Sequence, residues 1–292
     1  MNTKRILILG ANGMAGRTIY THLHEKGYDV VGLAKDSNDP NIIACDATDF
    51  KKLDQVILSG DYDVVINCIG ILNKFAEENK ELALVLNSLL PHHLASVTKN
   101  TKTRIFQMSS DCVFSGQKGS YTEKDLPDGA TWYDRTKAMG ELNDDKNLTF
   151  RNSIVGPDVN INGIGLFNWF MKQHGNINGF TKAIWTGVTT TELANAMEKA
   201  INANAVGLFN CVNNSTISKY ELLNLFKKYM NKSDICINPD DKFSCDKSLI
   251  RTNFDFDYTV PSYEDMVKEM AKWINNHKNM YPHYSQGEKQ DE

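Results

Sequence analysis

Tyr133 and Lys137 stand four residues apart in the run Tyr-Asp-Arg-Thr-Lys, and Ser110 lies upstream, just after an apolar segment. On a helix, residues at i and i+4 share a face one turn apart. An ammonium beside a phenol favours the phenolate, so the tyrosine pKa, ordinarily about 10, is expected to fall toward neutrality. A phenol tuned in this way gives and takes protons at cellular pH. Ser110, Tyr133 and Lys137 are therefore read as one proton-transfer site. Seen alone, a tyrosine and a lysine at this spacing are commonplace on a solvated helix. Their meaning depends on the elements that position them.

Residues 4–9, KRILIL, form a nearly continuous apolar run. Such a run suits a strand buried on both faces of a parallel sheet. It ends in Gly10, Gly13 and Gly16, and residues 17–26 then read as a helix. A strand, a glycine turn and a helix make the geometry of a dinucleotide phosphate site, with the pyrophosphate facing the helix N-terminus. Gly10, Asn12, Gly13, Met14 and Gly16 are candidate cofactor contacts. Their spacing is G-x-x-G-x-x-G, and glycines in a plain β–α turn are the bland alternative. A second strand, 28–33, leads to Lys35 and Asp36. Asp36 could accept a ribose 2′-hydroxyl, which points to NAD, and Lys35 could hold a 2′-phosphate, which points to NADP. Solvated loop charges account for both residues equally well.

Further strands are expected at 41–45, 63–69, 104–109 and 148–155, with a helix over 81–100 interrupted at 91–93. His92 and His93 invite a metal reading, but adjacent residues do not share a helix face. Surface or packing roles are expected for them, and no metal site. Strands alternating with helices at this interval predict an α/β fold with a doubly wound parallel sheet. After residue 155 the pattern changes. An aromatic helix at 166–172, helices at 189–203, 218–230 and 263–276, a small strand at 234–238 and a strand at 207–213 that rejoins the main sheet are expected. Residues 1–155 are read as the dinucleotide-binding domain, rejoined by about 186–213. Residues 156–280 are read as a smaller α+β, mainly substrate-binding region. The chain from His277 reads as a polar tail, with 281–292 disordered.

Composition narrows the classes. The chain has 292 residues, 41% hydrophobic and 23% charged, with net charge −4. It has no Lys/Arg-rich run, which argues against nucleic acid as a partner. No stretch approaches a membrane span, and the basic, apolar start reads as a strand rather than a signal peptide. Six cysteines without a C-x-x-C pair fit reduced thiols in the cytoplasm.

Taken in order, Gly10-x-x-Gly13-x-x-Gly16, Asp46-Ala-Thr-Asp49, Asn67-Cys-Ile-Gly70, Ser109-Ser-Asp-Cys-Val-Phe-Ser-Gly116 and Tyr133-x-x-x-Lys137-x-x-Gly140-Glu141 resemble an extended short-chain dehydrogenase/reductase. Arg151-Asn-Ser-Ile-Val-Gly156 and the segment 186–194 are similar to its dTDP-4-dehydrorhamnose reductase branch. The resemblance covers residues 4 to about 272. It implies NADPH- or NADH-dependent reduction of the 4-keto group of a nucleoside-diphosphate 4-keto-6-deoxy sugar, in deoxysugar biosynthesis for surface polysaccharide. Tyr133 would protonate the new alkoxide, Lys137 would lower the tyrosine pKa and hold the nicotinamide ribose, and Ser110 would hydrogen-bond the sugar oxygen. Asp46, Ala47, Cys68, Ile69, Gly70 and Asn87 would contact the cofactor. Asp111, Cys112 and Ile154 would contact the sugar nucleotide, with Lys247 and Arg251 at its diphosphate. A homodimer is one expectation.

Three residues depart from the branch's pattern. Ser110 stands where threonine is usual, Cys112 where an aromatic is usual, and Asp134 where glycine is usual; nothing in the sequence accounts for Asp134. A 4,6-dehydratase carries Asp-Glu after the hydroxyl residue, and Asp111-Cys112 here lacks the base. Two alternatives stay open: a nucleotide-sugar 4-epimerase with tightly held NAD, and a non-catalytic dinucleotide-binding regulatory subunit. Relatives of the latter kind often lose the tyrosine or lysine that this chain keeps.

Overall fold

A computed structural model describes residues 4–284. The first half runs β1 (Arg5–Leu9), α1 (Met14–Glu25), β2 (Asp29–Ala34), β3 (Ile42–Ala44), α2 (Phe50–Ser59), β4 (Val64–Asn67), α3 (Asn73–Glu78), α4 (Lys80–Ala83), a π-helical segment (Leu84–Leu89), α5 (Leu90–Val97), β5 (Arg104–Met108), α6 (Trp132–Met139) and β6 (Leu148–Arg151). The second half runs β7 (Ile154–Val155), α7 (Leu166–Met171), β8 (Gly175–Trp185), β9 (Val188–Thr189), α8 (Thr190–Ala203), β10 (Gly207–Asn210), β11 (Ile217–Ser218), α9 (Lys219–Tyr229), β12 (Ile235–Asp246) and α10 (Tyr263–Asn276).

Seven parallel strands in the order β10-β6-β5-β4-β1-β2-β3 make the central sheet. The unbroken apolar run of β1 has a direct cause. Ile6 and Ile8 enter the core on one face, Leu7 and Leu9 enter the core on the other, and all four are fully buried. Each such side chain contributes roughly 1.5–3 kcal/mol of burial. Strand order reverses at β1, with β2 on one side and β4 on the other. That switch point opens a crevice at the carboxyl ends of the strands. The return of the chain at β10, which pairs with β6, agrees with the sequence reading.

Four differences from that reading have physical reasons. The sixth strand breaks at Asn152–Ser153: β6 stays in the main sheet, while β7 leaves it to pair with β9. The eleven-residue β8 was not foreseen, although it alternates between exposed and buried positions. One of its buried positions is Gly179, where a Cβ would come within 2.9 Å of the Tyr220 backbone, so close packing against α9 erases the apolar signal. β12 is longer than the strand expected at 234–238 and runs parallel to β8 through Pro239 and two aspartates. Pro91 does not interrupt its helix: α4, the π-helical segment and α5 run on without a break, and Pro91 follows the π-helical turns, where the hydrogen-bond register has already shifted, with the Leu90 N–H bonded to the Val85 carbonyl. Next to it, His92 Nε2 lies 2.7 Å from the Met139 carbonyl, and His93 Nε2 lies 2.7 Å from Asp54 while its ring stacks on Phe50, so both histidines pack as expected.

The tail also differs. Tyr281 is buried and accepts a 3.2 Å hydrogen bond from Trp273 Nε1. The Tyr284 hydroxyl accepts from the Asp158 N–H and donates to Asn168 Oδ1, both at 2.9 Å. Aromatic anchoring therefore orders 281–284, which the polarity of the segment had concealed; 285–292 lie outside the described residues. No helix among the described residues is long and apolar enough to cross a membrane.

Candidate active site

The glycine turn is built from backbone. Gly10 has φ of +79°, and the N–H groups of Gly10 and Ala11 both donate to the Leu33 carbonyl. A Cβ on Gly16 would fall 2.1 Å from the Gly10 oxygen, so only glycine lets α1 start this close to β1. The α1 N-cap, Gly13, offers no side-chain cap, which leaves the first N–H groups of the helix directed outward. Unsatisfied N–H groups with an aligned helix dipole suit a pyrophosphate.

Across the crevice, α6 presents Tyr133 and Lys137. Thr131 and Asp134 form a capping box at its start: Thr131 Oγ1 accepts from the Asp134 N–H at 3.1 Å, and Asp134 accepts from the Thr131 N–H at 3.2 Å. This accounts for Asp134, which the sequence left without a role. Its other oxygen lies 4.0 Å from Lys247 Nζ. Lys137 is buried and donates to the Met108 carbonyl at the end of β5, at 2.5 Å. Ser110 Oγ accepts from the Cys112 N–H at 3.0 Å and lies 3.2 Å from Asp111 Oδ1, to which it donates. Ser110, Tyr133 and Lys137 all line one cavity. The three residues read as one site are therefore together.

Glu141 ties the group to the sheet. Its carboxylate accepts two hydrogen bonds from the Arg151 guanidinium, both at 2.7 Å, and one from Ser109 Oγ at 2.6 Å. The end of β5, the end of β6 and the segment after α6 thus converge on one buried carboxylate.

The expected electrostatics need correcting. Burial pushes the Tyr133 phenol up from its ordinary value, and Cys112, Asp111 and Asp134 act in the same direction; only the Ser110 hydrogen bond opposes. The net direction is up because burial, the largest cause, dominates. Burial brings Lys137 itself down to about 8, opposed by Glu141 and Cys68. Burial likewise raises Asp111, against the pull of Lys219 and Lys247. The Cys112 and Cys68 thiols are pushed up to about 12, which fits packing rather than reactivity.

A cavity of about 680 Å³ joins the glycine turn to this group. Asn12, Gly13, Met14, Cys68, Ile69, Gly70, Ser110, Asp111, Cys112, Tyr133, Lys137 and Ile154 all line it. Gly10 and Gly16 lie in the turn beneath. Lys35 and Asp46 pair at 3.0 Å outside the cavity, where Thr48 and Lys35 hold the Asp46 carboxyl down at about 2. Ala47 is buried beside them. Asn87, Arg251 and Lys247 also lie outside the lining. Asn87 faces inward from the π-helical segment. Its Oδ1 accepts from the Ile71 N–H, and its Nδ2 donates to the Ile71 carbonyl and to Thr136 Oγ1, so it supports the Gly70–Ile71 turn. Arg251 is buried, with its guanidinium donating to the carbonyls of Asn253, Phe256 and Tyr258, so it holds its own loop and lies away from the cavity.

Sequence reasoning missed Met108, Asn152, Ser153 and most of the loop from Asp158 to Leu166, which line the cavity. The loop's glycines and asparagines were visible, but they read only as a boundary. Lys219 was missed too. It opens α9, sits 4.9 Å over the Trp185 ring and is brought down to about 8 by burial, with Asp111 and two thiols opposing.

A parallel sheet with a glycine turn at its first strand, facing a serine, a tyrosine and a lysine, defines a Rossmann-type protein of the short-chain dehydrogenase/reductase class. A family model described as the RmlD substrate binding domain matches residues 4–254, and the chain belongs to that family. A probable low-salt glycan biosynthesis reductase, Agl14, of Haloferax volcanii is 33% identical over 140 residues, 46% of this chain and 46% of that protein. The chain thus matches about half the length of this curated relative. A dTDP-4-dehydrorhamnose reductase from Clostridium acetobutylicum superposes with TM-score 0.76 at 25% identity, covering 93% of this chain and 99% of the other. One from Bacillus anthracis, solved in complex with NADP, superposes with TM-score 0.78 at 21% identity, covering 92% and 98%.

Proposed function

We propose that this chain uses NADPH or NADH to reduce the 4-keto group of a nucleoside-diphosphate 4-keto-6-deoxy sugar, in deoxysugar biosynthesis. The carrying observation is the grouping of Ser110, Tyr133 and Lys137 at one end of a cavity whose other end is the glycine turn. The family, and the reductase names of its solved neighbours, support the same reading.

Bound across the cavity, the nicotinamide would supply the hydride. The glycine turn and the α1 N-terminus would hold its pyrophosphate. As the C–H bond forms at the sugar C4, the carbonyl π electrons move to oxygen, and Tyr133 transfers its phenolic proton there. A phenol kept protonated by burial starts in the state that this direction of reaction requires. Ser110 steadies the oxygen as charge develops on it. Lys137 uses one of its three donors on Met108 and lines the cavity, where a ribose hydroxyl could accept another. Cys112 stands where a dehydratase needs its base, so the site lacks the means for elimination.

We assign residues 1–155, with 186–213, to the dinucleotide and 156–280 mainly to the sugar nucleotide. A homodimer in the cytoplasm belongs to the same proposal; Leu89, at the end of the π-helical segment, and Met139, at the end of α6, are exposed apolar residues on two segments that pack together. A panel of nucleotide 4-keto sugars, followed by loss of nicotinamide absorbance with NADPH and NADH in turn, tests the activity. Turnover that needs added reduced cofactor supports the reductase. Turnover without it, by protein purified with NAD attached, would replace it with the epimerase.

A further inference from the structure

The proposed mechanism leaves one polar group at the end of β6 unused. Asn152 is 3% exposed, yet neither its Nδ2 nor its Oδ1 has a hydrogen-bond partner among the described residues. Trp185 Nε1, Thr190 Oγ1, Asn210 Oδ1 and His283 Nε2 share that condition, but none of them lines the cavity; Asn152 does. A buried amide without partners forfeits the hydrogen bonds that it makes to water in the unfolded chain. Such groups call for a specific explanation, and a ligand is the direct one here.

The backbone on either side of Asn152 is fixed. The Arg151 carbonyl accepts from the Cys211 N–H at 2.9 Å, and the Ser153 carbonyl accepts from the Val188 N–H at 2.9 Å. The Arg151 side chain is clamped by Glu141. On the neighbouring strand, Ser109 N–H donates to the Phe150 carbonyl at 2.8 Å, which sets Asn152 alongside Ser110. By this register Asn152 follows β6 at the level at which Ser110 follows β5, and both residues line the cavity.

An asparagine amide offers one acceptor and two donors side by side. Its complement is a ligand that gives a proton and takes one from adjacent atoms. Two vicinal hydroxyls do this: one donates to Oδ1 and its neighbour accepts from Nδ2. We propose that Asn152 recognises the vicinal hydroxyl pair next to the reacting carbonyl of the sugar, and so sets which keto sugar is accepted. This inference rests on the reductase reading. A primary carboxamide, such as that of nicotinamide, presents the same complement, and the test separates the two.

Asn152→Ala and the volume-conserving Asn152→Leu are compared with the parent in three measurements. These are dinucleotide Kd by titration, melting temperature without ligand, and kcat/KM on a 4-keto-6-deoxy sugar nucleotide and on its analogue lacking the hydroxyl beside the carbonyl. A site that hydrogen-bonds a substrate hydroxyl discriminates strongly against its absence. The variants are expected to lose about 10- to 100-fold on the hydroxylated sugar and at least about fivefold less than that on the deoxy analogue, which keeps only one of the two hydroxyls. Dinucleotide Kd should stay within about twofold, and the melting temperature of the leucine variant should equal or exceed the parent's. A weakened dinucleotide Kd with sugar discrimination intact would assign Asn152 to the carboxamide and overturn the proposal. Unchanged discrimination with unchanged Kd would overturn it as well. A parent that turns over no keto sugar overturns the reductase reading and this inference together, an outcome distinct from the other two.

Discussion

Glu141→Gln is the perturbation that the site's construction makes most consequential. The Glu141 and Arg151 side chains are 8% and 4% exposed and joined by two 2.7 Å hydrogen bonds. Neutralising one partner leaves the Arg151 charge buried without compensation. Breaking buried pairs of this kind costs about 3–5 kcal/mol. At about 2 °C per kcal/mol for a chain of this size, the melting temperature should fall by roughly 6–10 °C. Glu141→Leu with Arg151→Met removes both charges and should return stability to near the parent's, since apolar replacements of buried pairs are often neutral or better. Activity should move as well. Glu141 raises the Lys137 pKa, so without its charge Lys137 falls below about 8 and the alkaline limb of the pH–rate profile shifts to lower pH. Ser109 also loses its 2.6 Å partner beside Ser110. Differential scanning calorimetry and a pH profile read the two effects separately. A loss of under about 1 kcal/mol, the range of exposed pairs, would refute the reasoning, as would a double variant less stable than the single.

Two further substitutions test the cofactor side. Gly16→Ala would bring a methyl to 2.1 Å from the Gly10 oxygen, so the glycine turn must open; dinucleotide Kd should weaken at least about tenfold, and an unchanged Kd in a fluorescence titration would contradict the role given to the turn. Lys35→Ala removes the exposed ammonium at the end of β2, so the KM for NADPH should rise by roughly fivefold while that for NADH stays constant; equal effects would place Lys35 outside the ribose site.

The parts legible in the sequence were those whose chemistry is local. A strand buried on both faces shows as an unbroken apolar run, so β1 and the glycine turn could be read directly. Tyr133 and Lys137 could be grouped with Ser110 because the motifs occur in order along a parallel sheet. The illegible parts depend on contacts between distant segments. Gly179 hid β8, since its buried position holds no side chain. Asn87 and Arg251 have residue types that suit binding, but their hydrogen-bonding capacity is consumed internally. The sign of the Tyr133 shift could not be read from spacing, because burial, which the spacing does not show, dominates it. Asn152 carries no sequence signal, since its distinction is the absence of a partner.

Tyr133→Phe tests the central claim most directly, with dinucleotide binding and steady-state reduction of a nucleotide 4-keto sugar measured on one preparation. The variant keeps the buried ring and removes only the proton donor. Turnover is expected to fall by about 10²- to 10⁴-fold, with dinucleotide Kd within about twofold of the parent. A variant that reduces the sugar at the parent's rate would contradict the assignment of Tyr133 as the acid and, with it, the function proposed for the site.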